Sequence, residues 1–415
     1  MTNSYILGII GGGQLGKMLL QVCQQWSLKT YVLDPSPDAP CRDMCQQFMT
    51  GSLLDYQTVL DFGRMCGIVT YEIEHINIEA LKKLVEEGVE VYPRPETLEL
   101  IQNKHRQKMF FANHGFPTAK FECFRDIRDF LSLDSNIFPN LFIDCSGNRH
   151  EKGIVWKKTT LGYDGYGVKI FNSIGQIHKI ISDIDTEKID NGYSVGVEAG
   201  EEFKGECLIE ELVNIKMELS VVCCRSISGE ESFYPPVEMI FGKESNQVEY
   251  VIAPARISPT LAKKATDLCQ RLSRKIDHIG LLAVELFVTN GDELLINELA
   301  PRPHNSGHVS LGWCCPTSQF EQHLRAILDF KLGRTDFLSP VIMTNLVGEP
   351  DYRGKARYLG LDRLFEQEGG ELYLYGKNET RPGRKMGHFN LVGYGDIEQG
   401  LSMAKRLKEC IRIIS

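Results

Sequence analysis

Hydrophobic and polar residues follow two different periods along the first part of the chain. Short apolar runs predict buried strands, and the segments between them have the spacing of amphipathic helices. Strands that alternate with helices over short connections are typical of a doubly wound parallel sheet. The strands are predicted at Tyr5–Ile10, Thr30–Asp34 and Gly67–Glu72, and the helices at Lys17–Trp26 and Asn77–Glu87. We therefore expect an α/β domain over residues 1–95, which ends at Pro93 and Pro95.

The pattern changes after residue 95. Longer amphipathic stretches now alternate with apolar strands joined by turns, which indicates an α+β region with antiparallel pairing. The helices are predicted at Glu96–His114, Pro259–His278 and Ser318–Asp329, and the strands at Glu218–Arg225, Phe233–Phe241, Val248–Ala253, Gly280–Thr289 and Glu293–Leu299. Short strands and a last helix at Asp396–Ile411 follow, so we expect a core over residues 96–338 and a small C-terminal domain over 339–415.

Composition excludes several classes of protein. The net charge of −9 over 415 residues argues against a protein that binds nucleic acid through a large basic face. No stretch contains the ~18 apolar residues that a membrane-spanning helix needs. The 13 cysteines include no CxxC pair, and their odd number favours reduced thiols over disulfides or a zinc site. We expect a cytoplasmic protein that binds neither nucleic acid nor membrane.

Three glycines separate the first predicted strand from the first predicted helix. The spacing Gly11-x-Gly13-x-x-Gly16 is that of a dinucleotide fingerprint, and Asp34 ends the second strand, as such a fingerprint requires. The turn brings backbone N–H groups and a helix N-terminus close to an anion. By itself the motif leaves a dinucleotide, a mononucleotide and a sugar phosphate open as ligands. Glu72 ends a neighbouring strand, where it is placed either to accept from a ligand's amine or to cap a helix.

Two lysines and a glycine-rich loop follow another predicted strand. Lys157 and Lys158 end this strand, and Gly162–Gly167 contains three glycines. Glycine loops with a nearby lysine cover nucleotide phosphates, because their backbone donors can close over the anion. Further along, Leu208–Val213 is an apolar strand with two acids, and its backbone groups suit an adenine edge. Glu218 is suited to accept from ribose hydroxyls.

Two acidic residues lie within the apolar strands of a predicted hairpin. Glu285 and Glu298 occupy corresponding positions in the two strands, where an uncompensated carboxylate is costly. A cation between them would offset their repulsion, and Mg²⁺ held by one or two carboxylates and by nucleotide phosphates meets this need. Asn297 precedes Glu298 and contributes only if the strand ends there, because neighbouring strand side chains point to opposite faces.

The most unusual segment begins at the end of this hairpin. Asn297–His308 places a carboxylate, amides, an arginine and two histidines within twelve residues that two prolines interrupt. Rigid polar loops at strand ends are common positions for phosphate, metal or carboxylate sites. A second basic segment, Tyr375–His388, is interrupted by glycines and includes Lys377, Arg384 and Lys385. In an acidic chain this segment indicates a local anion site.

Together these motifs resemble the ATP-grasp superfamily and, within it, the N5-carboxyaminoimidazole ribonucleotide synthetase family. The narrowest parts of the resemblance are Pro301–His308 and Gly383–His388. The resemblance implies an ATP-grasp fold with an N-terminal pre-ATP-grasp domain, a core whose lid lobe covers about residues 120–215, and a small C-terminal domain. It also implies a homodimeric ligase of purine biosynthesis, which uses ATP to join bicarbonate to 5-aminoimidazole ribonucleotide through carboxyphosphate.

The resemblance further implies roles for individual residues. Magnesium, or manganese in its place, is expected at Glu285 and Glu298. Bicarbonate and carboxyphosphate are expected at the catalytic residues Arg302, His304 and Lys385. ATP is expected to contact Lys104, Lys157, Gly162, Tyr163, Asp164, Gly165, Gly167, Glu210, Glu211, Leu212, Val213, Glu218, Phe241, Asn297 and Glu298. The ribonucleotide is expected at Gly13, Gln14, Leu15, Glu72, Tyr163, Asp164, Asn305, Lys377 and Arg384.

Two positions depart from the family's pattern, and three other functions remain open. Asn103–Lys104 stands where the family usually has Asp-Arg, and Phe241 stands where a histidine is common; both positions concern ATP affinity. The glycine fingerprint alone favours an NAD(P)-dependent oxidoreductase, which leaves the acidic pair and the basic C-terminal segment unexplained. A catalytically silent nucleotide-binding protein would not need Arg302, His304 and Lys385, which are all present in this chain. A related ligase that transfers formate or another acid to a different ribonucleotide is the third alternative.

Overall fold

The computed structural model describes residues 6–132, 153–160, 167–172, 174–185, 203, 205–242 and 247–415. Its contacts divide the chain into two compact units. The first unit contains Met1–Glu99, Met217–Leu286 and Leu299–Ser415, and the second contains Leu100–Lys216 and Phe287–Glu298. The chain therefore leaves the first unit and returns to it twice.

The strands are β1 Ile6–Ile10, β2 Lys29–Asp34, β3 Gln47–Thr50, β4 Ile68–Tyr71, β5 Glu90–Val91, β6 Phe121–Phe124, β7 Ile154–Lys158, β8 Val168–Phe171, β9 Cys207–Glu211, β10 Ile215–Arg225, β11 Glu231–Phe233, β12 Val237–Phe241, β13 Val248–Ala253, β14 Gly280–Thr289, β15 Leu294–Ala300, β16 Val341–Val347, β17 Gly354–Lys355, β18 Arg357–Leu359, β19 Gly370–Leu374, β20 Glu379–Thr380, β21 Lys385–Val392 and β22 Arg412–Ile414. The α-helices are α1 Gln14–Gln25, α2 Tyr56–Arg64, α3 Ile78–Glu86, α4 Pro95–Gln102, α5 Lys104–Asn113, α6 Ile127–Ser132, α7 Ile174–Asp185, α8 Pro259–Ile276, α9 Gln319–Ile327, α10 Asp362–Phe365 and α11 Ile397–Cys410. Two 3-10 helices lie at Asn305–Ser310 and Gly312–Cys314.

The N-terminal strands form a five-stranded sheet of order β3-β2-β1-β4-β5, in which every pair is parallel. Two apolar clusters cover this sheet, which explains the almost continuous apolar sequences of β1 and β4. Asp55 and Asn77 begin α2 and α3, because each side chain accepts a hydrogen bond from a backbone N–H of the first turn. The predicted doubly wound parallel sheet is confirmed.

A nine-stranded sheet has the order β15-β14-β10-β12-β13-β16-β21-β19, with β11 paired to β10. Its pairs from β10 to β19 are antiparallel. All residues of β21 are buried, and α11 contributes Leu401, Ala404 and Leu407 to the apolar cluster of this region. The C-terminal strands therefore extend the same sheet as β10, β12 and β13.

The second unit contains a four-stranded antiparallel sheet of order β6-β9-β7-β8. Its core is aromatic and includes Trp156 and Phe203, whose ring centroids are 4.8 Å apart. The segment after α5 is joined to β15: the Ile296 N–H donates to the Pro117 carbonyl at 2.8 Å, and the Thr118 hydroxyl donates to the Ile296 carbonyl at 2.8 Å. These bonds position the β15 residues of this unit.

Two predicted elements are wrong in their extent. The single helix predicted over Glu96–His114 is two helices, because Asn103 is extended and its side chain accepts a hydrogen bond from the Arg106 N–H at 2.9 Å. The strand predicted over Phe233–Phe241 is interrupted at two prolines, which have no N–H to donate to a neighbouring strand. Among the helices of the described ranges, none is long and apolar enough to cross a membrane.

Candidate active site

The polar centre of the second unit is a buried carboxylate between two lysines. Glu210 on β9 is 2% exposed, and its oxygens lie 3.0 Å from Lys108 Nζ and 2.9 Å from Lys157 Nζ. Burial would raise the pKa of the Glu210 carboxyl, but the two lysine charges outweigh this effect and lower the pKa. Burial lowers the pKa of Lys108 to about 8, although Glu210 opposes this change. Because the two lysine cations outnumber the single Glu210 anion, this position favours the binding of a further anionic group, such as a phosphate.

The β15 residues of the second unit also contact lysines. Lys157 Nζ donates to Asn297 Oδ1 at 3.0 Å, and Lys104 Nζ forms an ion pair with Glu298. The two neighbouring side chains contact different lysines, as expected from the alternation of side chains along a strand. Lys104, Lys157, Glu210, Asn297 and Glu298 are thus all part of one charged group of side chains that also includes Lys108.

The other residues predicted to bind ATP in this unit lie at the ends of β8 and β9. The Glu211 carboxylate accepts from the Lys120 N–H at 3.1 Å, and the Leu212 N–H donates to the Gly153 carbonyl at 3.1 Å. Val213 is half-buried beyond them. Gly167 has a φ of +76°, which favours glycine, and its carbonyl accepts from the Lys158 N–H at 2.8 Å.

Four residues of the predicted glycine loop, Gly162, Tyr163, Asp164 and Gly165, lie outside the described residues. The two remaining ATP predictions fall in the first unit. Glu218 lies on β10 opposite Met239, and the half-buried Phe241 ends β12. Their role at adenosine remains a prediction.

A half-buried arginine follows β15 in the first unit. Arg302 Nη2 lies 3.0 Å from Glu74 Oε1, and Nη1 donates to the Pro303 carbonyl at 3.0 Å. The Nε–H of this guanidinium is buried and has no hydrogen-bond partner within the described part of the chain. Since an unsatisfied buried donor is costly, this N–H is suited to an anionic ligand.

The glycine turn is already bound by two carboxylates of its own domain. The Gly12 N–H donates to Asp34 Oδ2 at 2.7 Å, and the Gly13 N–H donates to Glu72 Oε1 at 2.9 Å. Burial raises the pKa of Glu72 to about 7, and the bond from Gly13 and the charge of Arg302 oppose this change. An anion that binds the turn through these N–H groups would have to displace the two carboxylates.

The first two residues of α1, also predicted to contact the ribonucleotide, differ in burial. Gln14 is half-buried at the start of the helix, whereas Leu15 packs into the apolar cluster that covers the parallel sheet. The Leu15 side chain is therefore part of the core.

His304 is held from several directions. Its Nε2 lies 3.4 Å from Glu285 Oε1, and its Nδ1 lies 3.3 Å from the Ser306 N–H, which donates to it. Nδ1 therefore accepts, and Nε2 carries the proton that faces Glu285. The Ser306 hydroxyl lies 2.9 Å from Nδ1 and 2.7 Å from the Ser220 hydroxyl. The Gln319 amide binds both the N–H and the carbonyl of His304, at 2.9 and 2.8 Å.

The end of this loop is held by hydrogen bonds and by ring stacking. Asn305 and Asn345 exchange two amide hydrogen bonds, of 2.9 and 2.8 Å. The buried His308 stacks on His388 with ring centroids 4.5 Å apart, and its Nδ1 accepts a hydrogen bond from the Gln319 amide at 3.1 Å. Burial lowers the pKa of both imidazoles, for His388 to about 3, so both rings are neutral and pack as aromatic side chains.

The basic C-terminal segment brings its lysines together in the first unit. Lys385, which begins β21, is 9% exposed, and its carbonyl accepts from Lys377 Nζ at 2.7 Å. Lys377 Nζ also lies 5.7 Å from the ring centroid of Tyr375. Arg384 Nη1 donates to the Glu379 carbonyl at 2.7 Å, and burial lowers the pKa of its guanidinium. The segment therefore holds three cations in fixed positions.

The two predicted magnesium ligands have suitable donor atoms. Glu298 lies in the second unit and Glu285 lies in the first. Carboxylate oxygens are the ligand type that Mg²⁺ prefers, so each of the two residues has the chemistry that this ion needs.

Three family models match consecutive parts of the chain. Residues 5–102 match the ribonucleotide synthetase preATP-grasp domain, residues 109–320 match the ATP-grasp domain, and residues 341–398 match the phosphoribosylaminoimidazole carboxylase C-terminal domain. The N5-carboxyaminoimidazole ribonucleotide synthase of Bacillus subtilis is 34% identical over 389 residues, which cover 93% of this chain and 91% of that protein. This chain belongs to the N5-carboxyaminoimidazole ribonucleotide synthase family.

Solved structures of this synthase family have the same fold. The N5-carboxyaminoimidazole ribonucleotide synthetase from Thermotoga maritima superposes with a TM-score of 0.82 at 35% identity, over 99% of both chains. The Aspergillus clavatus N5-carboxyaminoimidazole synthase, in complex with ADP and 5-aminoimidazole ribonucleotide, gives a TM-score of 0.80 at 27% identity, over 99% of this chain and 100% of that one. The expected ATP-grasp fold with its N-terminal parallel sheet is confirmed.

Within this member of the synthase family, Lys108 is the site residue that the sequence analysis missed. It follows Lys104 by four positions on α5, so both lysines lie on one face of the helix. That spacing is the signal by which Lys108 could have been found. The pairing of Lys108 with Glu210, more than 100 residues away, has no such signal.

Proposed function

We propose that this chain uses ATP to carboxylate 5-aminoimidazole ribonucleotide with bicarbonate, in purine biosynthesis. An ATP-grasp core by itself leaves the acceptor open, because related ligases use different acids and amines. The match of residues 341–398 to the phosphoribosylaminoimidazole carboxylase C-terminal domain carries the assignment of the acceptor. The related Aspergillus clavatus structure, which is in complex with ADP and 5-aminoimidazole ribonucleotide, supports it.

In the first step, a bicarbonate oxygen attacks the γ-phosphorus of ATP, ADP leaves, and carboxyphosphate forms. We assign Lys104 and Lys157 to the ATP phosphates, and their position in the group of charged side chains around Glu210 and Glu298 supports this role. Arg302 and His304 would orient bicarbonate: the Arg302 Nε–H is a buried donor, and Gln319 and Ser306 hold His304 in one orientation. Fixed donors of this kind stabilise charge that develops in phosphoryl transfer.

In the second step, the exocyclic amine of the ribonucleotide attacks the carboxyl carbon of carboxyphosphate, or the CO₂ that it releases. The bond from carbon to the phosphate oxygen breaks, inorganic phosphate leaves, and the amine loses a proton. Lys385 would stabilise the departing phosphate. Lys377, Arg384, Glu72 and the glycine turn would hold the ribonucleotide, and the hydrogen bonds that position Lys377 and Arg384 support this assignment.

The proposal also includes a metal and an assembly. Glu285 and Glu298 would hold Mg²⁺, or Mn²⁺ in its place; the ion, when bound, neutralises phosphate oxygens. We further propose three domains with boundaries near residues 95 and 338, a homodimer, and a cytoplasmic location. All cysteines within the described ranges are free thiols, which supports a reducing compartment.

A substrate-dependent ATPase assay tests the activity. Purified protein with magnesium and ATP should release phosphate only when bicarbonate and 5-aminoimidazole ribonucleotide are both present, and the carboxylated ribonucleotide should accumulate. Omission of each substrate in turn is the control, and formate in place of bicarbonate tests the related-ligase alternative. Phosphate release that is indifferent to the ribonucleotide would contradict the substrate assignment, and turnover with formate alone would replace it.

A further inference from the structure

A cluster of three possible metal ligands lies on the surface of the second unit. His105 is the second residue of α5, Cys123 lies on β6, and Glu206 immediately precedes β9. The His105 Nδ1 and Glu206 Oε1 atoms are 3.1 Å apart, and one ligand atom from each of the three residues lies within 4.8 Å of the others. The residues come from three separate chain segments, so only the fold brings them together.

The donor set matches a particular class of cation. An imidazole nitrogen, a thiolate sulfur and a carboxylate oxygen together are typical ligands of Zn²⁺ and similar thiophilic ions, whereas Mg²⁺ avoids sulfur. In a tetrahedral site with metal–ligand bonds of about 2.0–2.3 Å, the ligand atoms lie about 3.5 Å from one another. Small side-chain rotations would bring the three ligand atoms, which now lie within 4.8 Å of one another, to this distance. The His105 and Glu206 side chains are 34% and 46% exposed, which leaves room for a water molecule as fourth ligand.

We propose that His105, Cys123 and Glu206 form a binding site for zinc or another thiophilic divalent ion, completed by water. The site is independent of the proposed carboxylation. It differs from the expected magnesium ligands in its sulfur and nitrogen donors and in its position on α5, β6 and the start of β9.

The site is connected to the start of the helix that carries Lys104. The Thr159 hydroxyl donates to the Glu206 carbonyl at 3.1 Å and to Glu206 Oε2 at 3.3 Å, and the Thr159 carbonyl accepts from the Lys104 N–H at 2.8 Å. A bound ion would therefore link α5, β6 and β9 beside the end of β7, and should stabilise the second unit against unfolding.

Cobalt provides a direct test with the full-length protein. Co²⁺ titrated into metal-free protein without nucleotide should produce a thiolate-to-cobalt charge-transfer band in the near ultraviolet that saturates at about one equivalent. Competition with a chromophoric chelator would measure Zn²⁺ affinity on the same sample. This readout does not depend on enzymatic activity, so it is separate from the test of the proposed function.

Matched variants decide whether these three residues are responsible. Cys123→Ser should abolish the band, and Glu206→Gln, which changes an exposed side chain and preserves the fold, should weaken Zn²⁺ binding by at least about tenfold. Cys45→Ser, in the first unit, and His114→Gln, just beyond the end of α5, are the controls and should leave the band unchanged. Absence of the band from the wild type, or its persistence in Cys123→Ser together with unchanged affinity in Glu206→Gln, would overturn the proposal.

Discussion

The buried carboxylates of Glu210 and Glu72 differ in how their charge is compensated. Glu210 has two lysines within 3.0 Å, and their charges lower the pKa of its carboxyl in spite of complete burial. Glu72 receives one backbone hydrogen bond in its buried position, so burial dominates and raises its pKa to about 7. The first carboxylate is therefore permanently ionised at neutral pH, and the second is close to its titration midpoint.

Replacement of Lys108 by methionine tests the compensation at Glu210. Lys108→Met keeps most of the side-chain volume but removes one of the two cations, so we expect a loss of about 1–3 kcal/mol in the free energy of unfolding. Urea denaturation measures this loss, and Lys120→Met, at an exposed position, is the control. Equal stabilities of the two variants would show that Lys157 alone compensates Glu210.

The pH dependence of stability tests the state of Glu72. Because its folded pKa of about 7 lies above the unfolded value, the folded protein binds more protons between about pH 4.5 and 7. This residue's contribution to stability is therefore complete at low pH and is lost as the pH rises through 7. Glu72→Gln keeps an oxygen acceptor for the Gly13 N–H without the titration.

The measurement is the difference in free energy of unfolding between wild type and Glu72→Gln. From pH 5 to pH 8 this difference should shift by about 2–3 kcal/mol in favour of the variant. Asp61→Asn, at an exposed position of α2, is the control and should show no comparable shift. A constant difference for Glu72→Gln would mean that Glu72 has an ordinary pKa.

At the scale of secondary structure, the start of α5 positions several functional groups. Asn103 ends the preceding helical segment and caps α5, which then presents Lys104, His105 and Lys108 from its first turns. The same start is bonded to Thr159 through the Lys104 N–H. A continuous helix over this region would direct these side chains elsewhere, so the interruption at Asn103 determines where the lysines lie.

Substitution of the cap tests this role of Asn103. Asn103→Ala removes the acceptor for the Arg106 N–H and should cost about 1 kcal/mol of stability, within the usual range for helix caps. Asn103→Asp keeps the acceptor and adds a charge that is favourable at a helix N-terminus, so it should be neutral or stabilising. Thermal denaturation of both variants measures the effect. A stable Asn103→Ala protein would show that packing, not the cap, interrupts the helix.

At the scale of the whole molecule, the proposed functions are divided between the two compact units. The lysines assigned to ATP phosphates lie in the second unit, and Arg302, His304 and Lys385 lie in the first. Each group is held by contacts within its own unit, such as Glu210 with Lys157 and Gln319 with His304. Substrate binding and turnover should therefore respond differently to changes in the two units.

Two lysine substitutions test this division. Lys157→Met should raise the KM for ATP by at least about tenfold, because it removes a phosphate-neutralising charge. Lys385→Ala should lower kcat by about a hundredfold and leave the ATP affinity unchanged, because its charge is needed after ATP has bound. Lys355→Ala, at an exposed position of β17, is the control for steady-state kinetics. The reverse pattern would move Lys385 to the nucleotide site.

The sequence by itself determined the features that depend on local order along the chain. Alternating strands and helices predict the parallel sheet, because its strands are buried on both faces and joined by short connections. The glycine turn, the hairpin acids and the Pro301–His308 loop predict candidate residues, because each motif lies within a short stretch of the sequence. The sequence also contains the residues that interrupt two predicted elements, Asn103 in the helix and Pro235 and Pro236 in the strand. The hydrophobic pattern around these residues favoured continuous elements, so the interruptions were not predicted.

Only the tertiary structure decided which groups meet across long separations. Lys108 with Glu210, the Gly13 N–H with Glu72, and His105 with Cys123 and Glu206 come from distant parts of the chain. Their charges and pKa values depend on burial and on neighbours that no local spacing records. For this reason the sequence indicated a family and a set of residues, whereas the fold determined which carboxylate is ionised, how His304 is oriented and that His105, Cys123 and Glu206 lie together.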